Sequence, residues 1–291
     1  MKLLITGARG QLGTELQALL QEGGCSLGTL PESIRKANVI PISSDSLNYD
    51  DIDSVRGCFS ALSPDVIINC VAYTNVNACE AERDDAFRLN ALVPRNFAIA
   101  AEESGSVLIH VSTDYVFDGR TDEPYHEWDL CNPQNVYGKS KLMGEQYVRE
   151  FCRRYMVVRT SWLYGRHGGN FVKAILKAAE EKGIVKIVND QFGNPTNAED
   201  LAYHLLRLAN TCDYGLYHCT GNGVCTWYDF AYEFIKLSGN TCSITPCSTK
   251  EYPSPARRPA YSALDNCMLR CTIGDNMRDW QEAIKDYMSK L

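Results

Sequence analysis

Residues 2–13 read Lys-Leu-Leu-Ile-Thr-Gly-Ala-Arg-Gly-Gln-Leu-Gly, a short apolar run followed by glycines at a spacing of three. Leucines at helical spacing follow over residues 12–20. A strand, a glycine turn and a helix in this order favour a dinucleotide-binding fold, because glycines let the backbone approach a pyrophosphate and the helix N-terminus offers free N–H groups. The alternative is a plain glycine turn between a strand and a helix. The context favours cofactor binding, and the glycines expected to take part are Gly7, Gly10 and Gly13.

The chain up to residue 165 repeats this alternation of strand and helix. The run at residues 66–72 is mostly apolar, which fits a strand buried on both faces of a parallel sheet. The alternation predicts an α/β fold with a doubly wound parallel sheet. Further strand patterns lie at residues 39–42, 107–112 and 155–160, and helical patterns lie at 51–62, at 83–102 with a bend near Pro94, and around 137–141.

The pattern is less regular beyond residue 165. We expect a nucleotide-binding domain over residues 1–165, to which segments of roughly 190–225 return, and a smaller C-terminal α/β lobe over 166–291 that mainly binds the substrate. Helical spacing recurs at residues 171–181, 199–209, 227–237 and 279–289, and short strand patterns lie at 185–188 and 215–219.

The composition argues against several classes of function. The 291 residues include 29 Lys and Arg against 36 Asp and Glu, a formal charge of −7, without a basic run. This balance argues against nucleic-acid and anionic-membrane partners, and no apolar run approaches the roughly 18 residues of a membrane span. The 13 cysteines are scattered without a C-x-x-C pair, which favours reduced thiols, and the 5 histidines show no metal-ligand spacing. Because the N-terminal apolar run is too short for a signal peptide, a cytoplasmic location is expected.

The segment Tyr137-Gly-Lys-Ser-Lys141 has the spacing of a proton-transfer pair. A tyrosine and a lysine four residues apart share one face of a helix. A lysine cation close to a phenol lowers the tyrosine pKa from about 10, which makes the tyrosine a usable proton donor near neutral pH. The spacing alone also fits a surface helix with a solvated lysine. Thr113 and Asp114 lie at the carboxyl end of a predicted strand, where doubly wound sheets bind their ligands.

The residues after the strand at 39–42 bear on the choice of cofactor. An acidic residue often holds the adenosine ribose at this place, but the sequence has Ser43 and Ser44, followed by Asp45. Loss of the acid removes repulsion against a 2′-phosphate, and no arginine lies immediately beside the serines. The sequence therefore admits both NADH and NADPH.

With these segments in place, the chain resembles the dTDP-4-dehydrorhamnose reductase family of extended short-chain dehydrogenases/reductases over nearly its whole length. The blocks Ser-Thr-Asp-Tyr-Val-Phe and Asp-Gln-Phe-Gly are specific to this branch of the superfamily. The matching segments are 6–13, 64–69, 112–119, 135–141, 159–162, 189–193 and 255–259.

The resemblance implies reduction of the C4 ketone of dTDP-4-dehydro-L-rhamnose to dTDP-L-rhamnose by NADPH or NADH, for cell-envelope polysaccharide. By the family pattern, Tyr137 donates a proton to the ketone oxygen. Lys141 holds the nicotinamide ribose and lowers the pKa of Tyr137, and Thr113 hydrogen-bonds the carbonyl as charge develops on it. Asp114 and Trp162 match positions that contact the sugar. The positions that match cofactor contacts of the family are Gly10, Gln11, Leu12, Asn48, Tyr49, Ala72, Tyr73 and Thr74.

Some of the substrate positions have plain structural alternatives. Trp162 could cap the core at the end of a strand, since tryptophan is common in both roles. Arg257 and Arg258 could be a surface charge pair, although the arginine fork suits the oxygens of the dTDP pyrophosphate. On this ground we expect Arg257 and Arg258 to bind the substrate.

The resemblance leaves a Mg²⁺ site and the oligomeric state open. Some relatives bind Mg²⁺ through interfacial glutamates, and Glu15 and Glu199 match two of those positions. The alternative is that both are solvated charges, which is the usual state of a glutamate. A monomer and a homodimer are both compatible with the sequence.

Rival functions follow from the same fold. Dehydratases of this superfamily carry a glutamate after Thr-Asp, and Tyr115 stands at that position here, so the group needed for elimination is missing. A second rival is a non-catalytic NADP-binding subunit resembling the β subunit of methionine adenosyltransferase. The intact Thr113, Tyr137 and Lys141 favour catalysis over that role. A related reductase that forms the other C4 epimer, a talose, is also left open by the sequence.

Overall fold

The structure is a computed structural model that describes residues 1–291. Its strands are β1 (Lys2–Thr6), β2 (Gly24–Cys25), β3 (Gly28–Thr29), β4 (Asn38–Ile42), β5 (Val66–Asn69), β6 (Val107–Thr113), β7 (Tyr155–Thr160), β8 (Leu163–Tyr164), β9 (Ile184–Val188), β10 (Phe192–Gly193), β11 (Thr196–Asn197), β12 (Gly215–His218), β13 (Cys225–Thr226) and β14 (Ser243–Cys247). Its helices are α1 (Gln11–Glu22), α2 (Glu32–Arg35), α3 (Ile52–Leu62), α4 (Ala78–Ala81), α5 (Arg83–Phe87), α6 (Val93–Ser104), α7 (Val136–Phe151), α8 (Phe171–Lys182), α9 (Ala198–Leu208), α10 (Trp227–Leu237), α11 (Cys267–Thr272) and α12 (Trp280–Ser289).

Six of these strands form one parallel sheet in the order β12-β7-β6-β5-β1-β4. The chain starts at β1, adds β4 on one side and then crosses to β5 on the other side, so the direction of winding reverses at β1. The carboxyl ends of β1 and β5 therefore flank a crevice, which is where doubly wound sheets bind ligands. The predicted fold class is confirmed.

Apolar side chains fill a core on each face of this sheet. Leu3 and Ile5 of β1 pack with α1 and α9 on one face, whereas Leu4 packs with α3, α6 and α7 on the other. Successive side chains of a strand point to opposite faces, so a strand that is apolar at every position fills both cores. This explains why β5, buried at all of its residues, has no polar alternation.

A third apolar cluster forms the core of a C-terminal lobe, which we define as α8, β9, α10, β14 and α12. Phe230 and Phe234 of α10 pack there with Ile187 and Ile284, and β9 pairs in parallel with β14. Other late segments return to the main sheet: β12 joins it, and α9 and α11 contribute to its core. The domain boundaries at residues 165 and 166 stay a prediction. The packing of α11 against the core of the main sheet was not part of that prediction.

Several short elements differ from the sequence-based expectation. The predicted helix at 83–102 is divided into α5, a π-helical turn (Arg88–Leu92) and α6. Pro94 lies directly after this turn, so the helix departs from α geometry beside the proline, as expected. The elements β2, β3, α2, β14 and α11 were not predicted, because runs of two to six residues are too short to show a period. In β14, Pro246 also argues against a strand, and the strand lies at the edge of a two-stranded sheet. None of the helices combines the length and the apolar character needed to cross a membrane.

Candidate active site

The glycine turn after β1 leaves room only for glycine at two positions. Gly7 has a φ of +69°, and a Cβ there would lie 2.9 Å from the carbonyl carbon of Cys70. A Cβ at Gly13 would overlap the carbonyl oxygen of Gly7. No side chain caps α1 at Gly10, and the first turn of that helix carries no acidic residue. The turn therefore presents backbone N–H groups to an anion, and its residues fit the pyrophosphate of a dinucleotide.

The substitution Gly13→Ala is expected to weaken dinucleotide binding at least about tenfold, because the new methyl group must displace the turn that holds the pyrophosphate. A fluorescence titration with NADPH measures the dissociation constant. Gly57→Ala in α3 is the matched control, since a Cβ at that position meets nothing within 4 Å. Equal dissociation constants for the two variants would contradict the assigned role of the turn.

A cleft of about 450 Å³ opens at the carboxyl ends of the central strands. Its wall combines the glycine turn, the segment after β5, the end of β6 and the start of α7. The predicted site residues that line it are Gly10, Gln11, Leu12, Ala72, Thr74, Thr113, Asp114, Tyr137, Lys141 and Trp162. The fold therefore brings together residues that are up to about 150 positions apart in the sequence.

Five predicted cofactor contacts do not line the cleft: Gly7, Gly13, Asn48, Tyr49 and Tyr73. Tyr49 is buried beneath the glycine turn, where its hydroxyl donates a hydrogen bond to the carbonyl oxygen of Ile42 (3.1 Å) and accepts one from the Gly7 N–H (3.5 Å). Asn48 is exposed, and its side-chain oxygen accepts a hydrogen bond from the backbone of Asp50 (3.2 Å). Neither residue lines the cleft. Tyr49 supports the turn from below.

An arginine lies at the predicted ribose end of the site. Arg9, within the glycine turn, forms an ion pair with Asp45, which follows Ser43 and Ser44. The sequence shows no arginine beside these serines because Arg9 precedes them by more than 30 positions. The parallel pairing of β1 with β4 brings the two segments together. The fold thus adds Arg9 to this end of the site, although no arginine is adjacent to the serines in the sequence.

The segment after β5 is held by Asn90, a buried residue of the π-helical turn. Its side-chain oxygen accepts a hydrogen bond from the Tyr73 N–H (2.7 Å), and its amide donates to the Tyr73 carbonyl oxygen (3.1 Å) and to Ser140 Oγ (3.0 Å). Asn90 thereby ties this segment to α7. The Tyr73 hydroxyl donates a hydrogen bond to the Glu82 carboxylate, and Tyr73 does not line the cleft. The only sequence signal for Asn90 is a lone amide among apolar residues, and π-turns are often found at functional sites.

The start of α7 is fixed against the end of β6. The side-chain oxygen of Asn135 accepts a hydrogen bond from the Gly138 N–H (2.8 Å), and its amide donates to the carbonyl oxygen of Arg257 (2.8 Å). A Cβ at Gly138 would overlap the carbonyl oxygen of Tyr115. This close approach places Tyr137 on the cleft wall beside the end of β6.

Burial governs the ionisation of Tyr137 and Lys141. It raises the pKa of Tyr137, and a hydrogen bond with the Thr113 hydroxyl opposes that rise. It lowers the pKa of Lys141, which is 2% exposed, to about 8, and the nearby Glu145 carboxylate opposes that fall. Lys141 Nζ donates a hydrogen bond to the carbonyl oxygen of Val111 (2.6 Å). The predicted lowering of the Tyr137 pKa by Lys141 is wrong, because burial raises this pKa and Lys141 is not among the groups that shift it.

A buried hydroxyl and a buried carboxyl share this wall with Tyr137. Thr113 Oγ1 accepts a hydrogen bond from the Tyr115 N–H (3.2 Å) and donates one to Asp114 Oδ1 (2.9 Å). Burial raises the pKa of Asp114 to about 7. The end of β6 therefore presents two groups that can exchange hydrogen bonds near neutral pH.

Trp162 has a strained backbone and an aromatic partner. Its φ of +47° is uncommon for a bulky residue and costs about 1–3 kcal/mol. Its indole stacks on Trp227 of α10, with ring centroids 3.5 Å apart and 6° between the planes, and packs against Gly193. Both tryptophans line the cleft, so Trp162 does more than cap a core. Trp227 is not singled out by the sequence, where it reads as the first residue of an amphipathic helix.

A second cavity of about 980 Å³ adjoins the first and shares Thr74, Val76 and Trp227 with it. Its apolar wall comes mainly from the C-terminal lobe. One guanidinium of this cavity, that of Arg258, donates a hydrogen bond to the Tyr115 hydroxyl (3.0 Å). The cations that line it are Lys186, Lys250, Arg257 and Arg258. Arg258 is half-buried at this cavity and Arg257 is exposed, so substrate binding by the two arginines stays a prediction.

The residues expected to bind Mg²⁺ do not fit a metal ion. Glu15 is buried and accepts a hydrogen bond from Arg166 (2.9 Å), whose guanidinium also lies 3.9 Å from Glu199. Lys290 (3.2 Å) and Arg278 (3.5 Å) reach the other oxygen of Glu199. No group of three or more His, Cys, Asp or Glu side chains is placed to hold a metal ion. Basic side chains already neutralise both carboxylates, so the predicted Mg²⁺ site is not supported.

This chain is similar along its whole length to known proteins. The spore coat polysaccharide biosynthesis protein SpsK of Bacillus subtilis (strain 168) is 37% identical over 289 residues, which are 99% of this chain and 97% of that protein. The crystal structure of a dTDP-4-dehydrorhamnose reductase from Clostridium acetobutylicum ATCC 824 superposes with a TM-score of 0.93 at 43% identity, covering 100% of this chain and 99% of that one. The enzyme of the same name from Bacillus anthracis str. Ames, in complex with NADP, gives a TM-score of 0.92 at 37% identity and 100% coverage of both chains. The sequence model described as the RmlD substrate binding domain matches residues 1–291, and the chain belongs to the dTDP-4-dehydrorhamnose reductase family.

Proposed function

We propose that this protein reduces the C4 ketone of dTDP-4-dehydro-L-rhamnose to dTDP-L-rhamnose with NADPH or NADH, for the synthesis of a cell-envelope polysaccharide. One observation carries the proposal: the glycine turn, Thr113, Tyr137 and Lys141 line a single cleft. Two relatives named for this activity, with 37% and 43% identity over the whole chain, support the choice of substrate.

The residues of the cleft fit a nicotinamide dinucleotide. The N–H groups at the start of α1 would hold its pyrophosphate, and Lys141 would hold the nicotinamide ribose. When bound in its reduced form, this group supplies a hydride to C4 of the sugar. Ser43 and Ser44 offer hydroxyl groups rather than a carboxylate at the predicted adenosine ribose site, and Arg9 offers a guanidinium to a 2′-phosphate, for which it would exchange Asp45. Both cofactors are therefore admitted.

Tyr137 is suited to give a proton to the ketone oxygen. Because burial raises its pKa, it carries its proton at neutral pH. The Thr113 hydroxyl is placed to hydrogen-bond the same oxygen as negative charge develops on it. Lys141 is a cation below about pH 8, so it can stabilise the phenolate that Tyr137 leaves behind. Proton donor, oxyanion stabiliser and cation thus come from this chain alone.

The second cavity is suited to the nucleotide part of the substrate. Its four cations complement the two negative phosphates of a nucleoside diphosphate, and its apolar wall complements a base. Trp227 lies between the two cavities, next to Trp162 on the sugar side. We propose that the C-terminal lobe binds the substrate through this cavity, as the predicted domain division implies.

Replacing both Arg257 and Arg258 by Ala is expected to raise the KM for the dTDP sugar at least about tenfold, because each arginine can form a charge-assisted hydrogen bond of about 1.5–3 kcal/mol with phosphate. The KM for the cofactor should change less than twofold. Arg153→Ala is the control, since that side chain is 92% exposed and lies outside both cavities. An unchanged KM for the dTDP sugar would show that Arg257 and Arg258 do not bind the substrate phosphates.

The proposed function is tested by mixing the protein with reduced cofactor and dTDP-4-dehydro-L-rhamnose, and following the absorbance of the reduced nicotinamide. Product NMR then separates a rhamnose from a talose, the other C4 epimer. Tight cofactor binding without turnover would instead support the regulatory-subunit alternative. A dehydratase is disfavoured by the structure, because burial raises the pKa of Tyr115 and its hydroxyl accepts a hydrogen bond from Arg258, so it cannot serve as the missing base.

A further inference from the structure

The single hydroxyl hydrogen of Thr113 has two acceptors: the ketone oxygen in the proposed reaction and Asp114 in the structure. Its hydroxyl has one hydrogen and two lone pairs. In the structure, one lone pair accepts the Tyr115 N–H and the hydrogen is donated to Asp114 Oδ1 (2.9 Å). While this bond stands, Thr113 has no hydrogen to offer to a ketone oxygen. The hydrogen must be released before Thr113 can stabilise the developing negative charge.

The carboxyl group of Asp114 is itself incompletely satisfied. Asp114 is 2% exposed and lines the cleft, and its Oδ2 is buried without a hydrogen-bond partner. A buried carboxylate with an unpartnered oxygen is unfavourable by about 1–3 kcal/mol or more. The neutral carboxyl group avoids this penalty. Its O–H can donate to the Thr113 Oγ1 lone pair that the Tyr137 hydroxyl leaves when Tyr137 turns from Thr113 toward the ketone oxygen. Such a bond runs opposite to the one present with the ionised group.

We propose that Asp114 is a positioning residue whose neutral form donates a hydrogen bond to Thr113 Oγ1 and so turns the Thr113 hydrogen toward the ketone oxygen. The inference deepens the proposed function and rests on it. No proton is transferred in this step: Asp114 keeps its hydrogen, Thr113 keeps its own, and only the direction of the hydrogen bonds changes. The proton that ends on the sugar oxygen still comes from Tyr137.

The groups around Asp114 favour its neutral form. Tyr137 of α7 and Tyr115 of the adjoining turn are neutral neighbours, and the Arg258 guanidinium is bonded to the Tyr115 hydroxyl. The nearby hydroxyl groups of Ser262 and Thr113 and the local backbone N–H groups lower the pKa of Asp114, but burial outweighs them and raises it to about 7. Asp114 therefore changes its charge within the range in which the enzyme would work.

The pH dependence of kcat/KM distinguishes this role from a purely structural one. With Asp114 required neutral and Lys141 required charged, pKa values of about 7 and about 8 give the wild type a fall of about twentyfold from pH 6 to pH 8. Asp114→Asn keeps a donor beside Thr113 that does not titrate, so its kcat/KM should fall only about twofold over this range, whatever its absolute level. Asp53→Asn, an exposed carboxylate, should keep the wild-type profile. A fall of about twentyfold in Asp114→Asn would overturn the proposal.

Infrared difference spectra between pH 6 and pH 8 give a second readout that needs no turnover. We expect the stretch of a protonated carboxyl group to disappear as the pH rises, to be absent in Asp114→Asn and to shift in frequency in Thr113→Val. If Asp114→Asn does not fold, the carboxyl bands of the wild type and of Thr113→Val still test whether Asp114 donates to Thr113. Absence of this band in the wild type, or a band unmoved in Thr113→Val, would overturn the inference. If the proposed function fails but the inference about Asp114 holds, the carboxyl band still changes as expected, and the protein shows no reduction of the dTDP sugar.

Discussion

Tyr137→Phe is expected to lower kcat by about a hundredfold to ten-thousandfold, the usual contribution of a general acid. Tyr137 contacts Tyr115 edge to face, with ring centroids 5.9 Å apart, and phenylalanine keeps this contact while losing only the hydroxyl. The fall should therefore appear in kcat, with the dissociation constant of the cofactor changed less than about twofold.

Steady-state kinetics with the dTDP sugar and a fluorescence titration with NADPH measure the two effects of Tyr137→Phe separately. Tyr232→Phe, a change at a tyrosine that is half exposed on α10, is the control and should turn over like the wild type. A Tyr137→Phe variant with full turnover would show that the proton comes from another group.

Glu145→Ala is expected to lower the free energy of unfolding by about 3–5 kcal/mol. Glu145 and Arg159 are 1% and 2% exposed, and the guanidinium donates to both carboxylate oxygens, at 2.9 and 2.7 Å. Ser112 Oγ donates to the same carboxylate (2.6 Å), and the guanidinium lies over the ring of Phe117. Removal of Glu145 leaves a buried guanidinium without its counter-charge directly beneath the end of β6.

Urea unfolding of the protein measures this loss. Glu102→Ala is the matched control, because Glu102 pairs with an exposed arginine, Arg153, and such surface pairs contribute about 0–1 kcal/mol. Replacing Glu145 and Arg159 together by methionine should recover part of the stability, since neither charge of this pair is then left without its partner. A loss of less than about 1 kcal/mol in Glu145→Ala would show that water reaches the pair.

Local patterns in the sequence predict much of this fold. The glycine turn, the apolar strands and the Tyr137–Lys141 spacing each depend on residues close in the chain, and the structure has the expected elements at these places. Short elements such as β14 and α11 could not be predicted, because a few residues show no period and Pro246 argues against a strand.

The parts of the site that escaped prediction depend on contacts between distant segments. The pair of Arg9 and Asp45 forms only because β1 lies beside β4, and Trp162 meets Trp227 only when the C-terminal lobe folds back. The ionisation of Lys141 depends in the same way on how much of the surrounding chain buries it. Sequence spacing places a lysine near a tyrosine but does not give the desolvation of either group.

Transfer of deuterium is the most direct test of the proposed reaction. The wild-type protein is mixed with dTDP-4-dehydro-L-rhamnose and NADPH that carries deuterium at the transferable position of the nicotinamide. We predict dTDP-L-rhamnose with one deuterium at C4 for each cofactor oxidised, as seen by NMR and mass spectrometry of the product. A product without deuterium at C4, or no oxidation of the cofactor by the wild-type protein, would contradict the account.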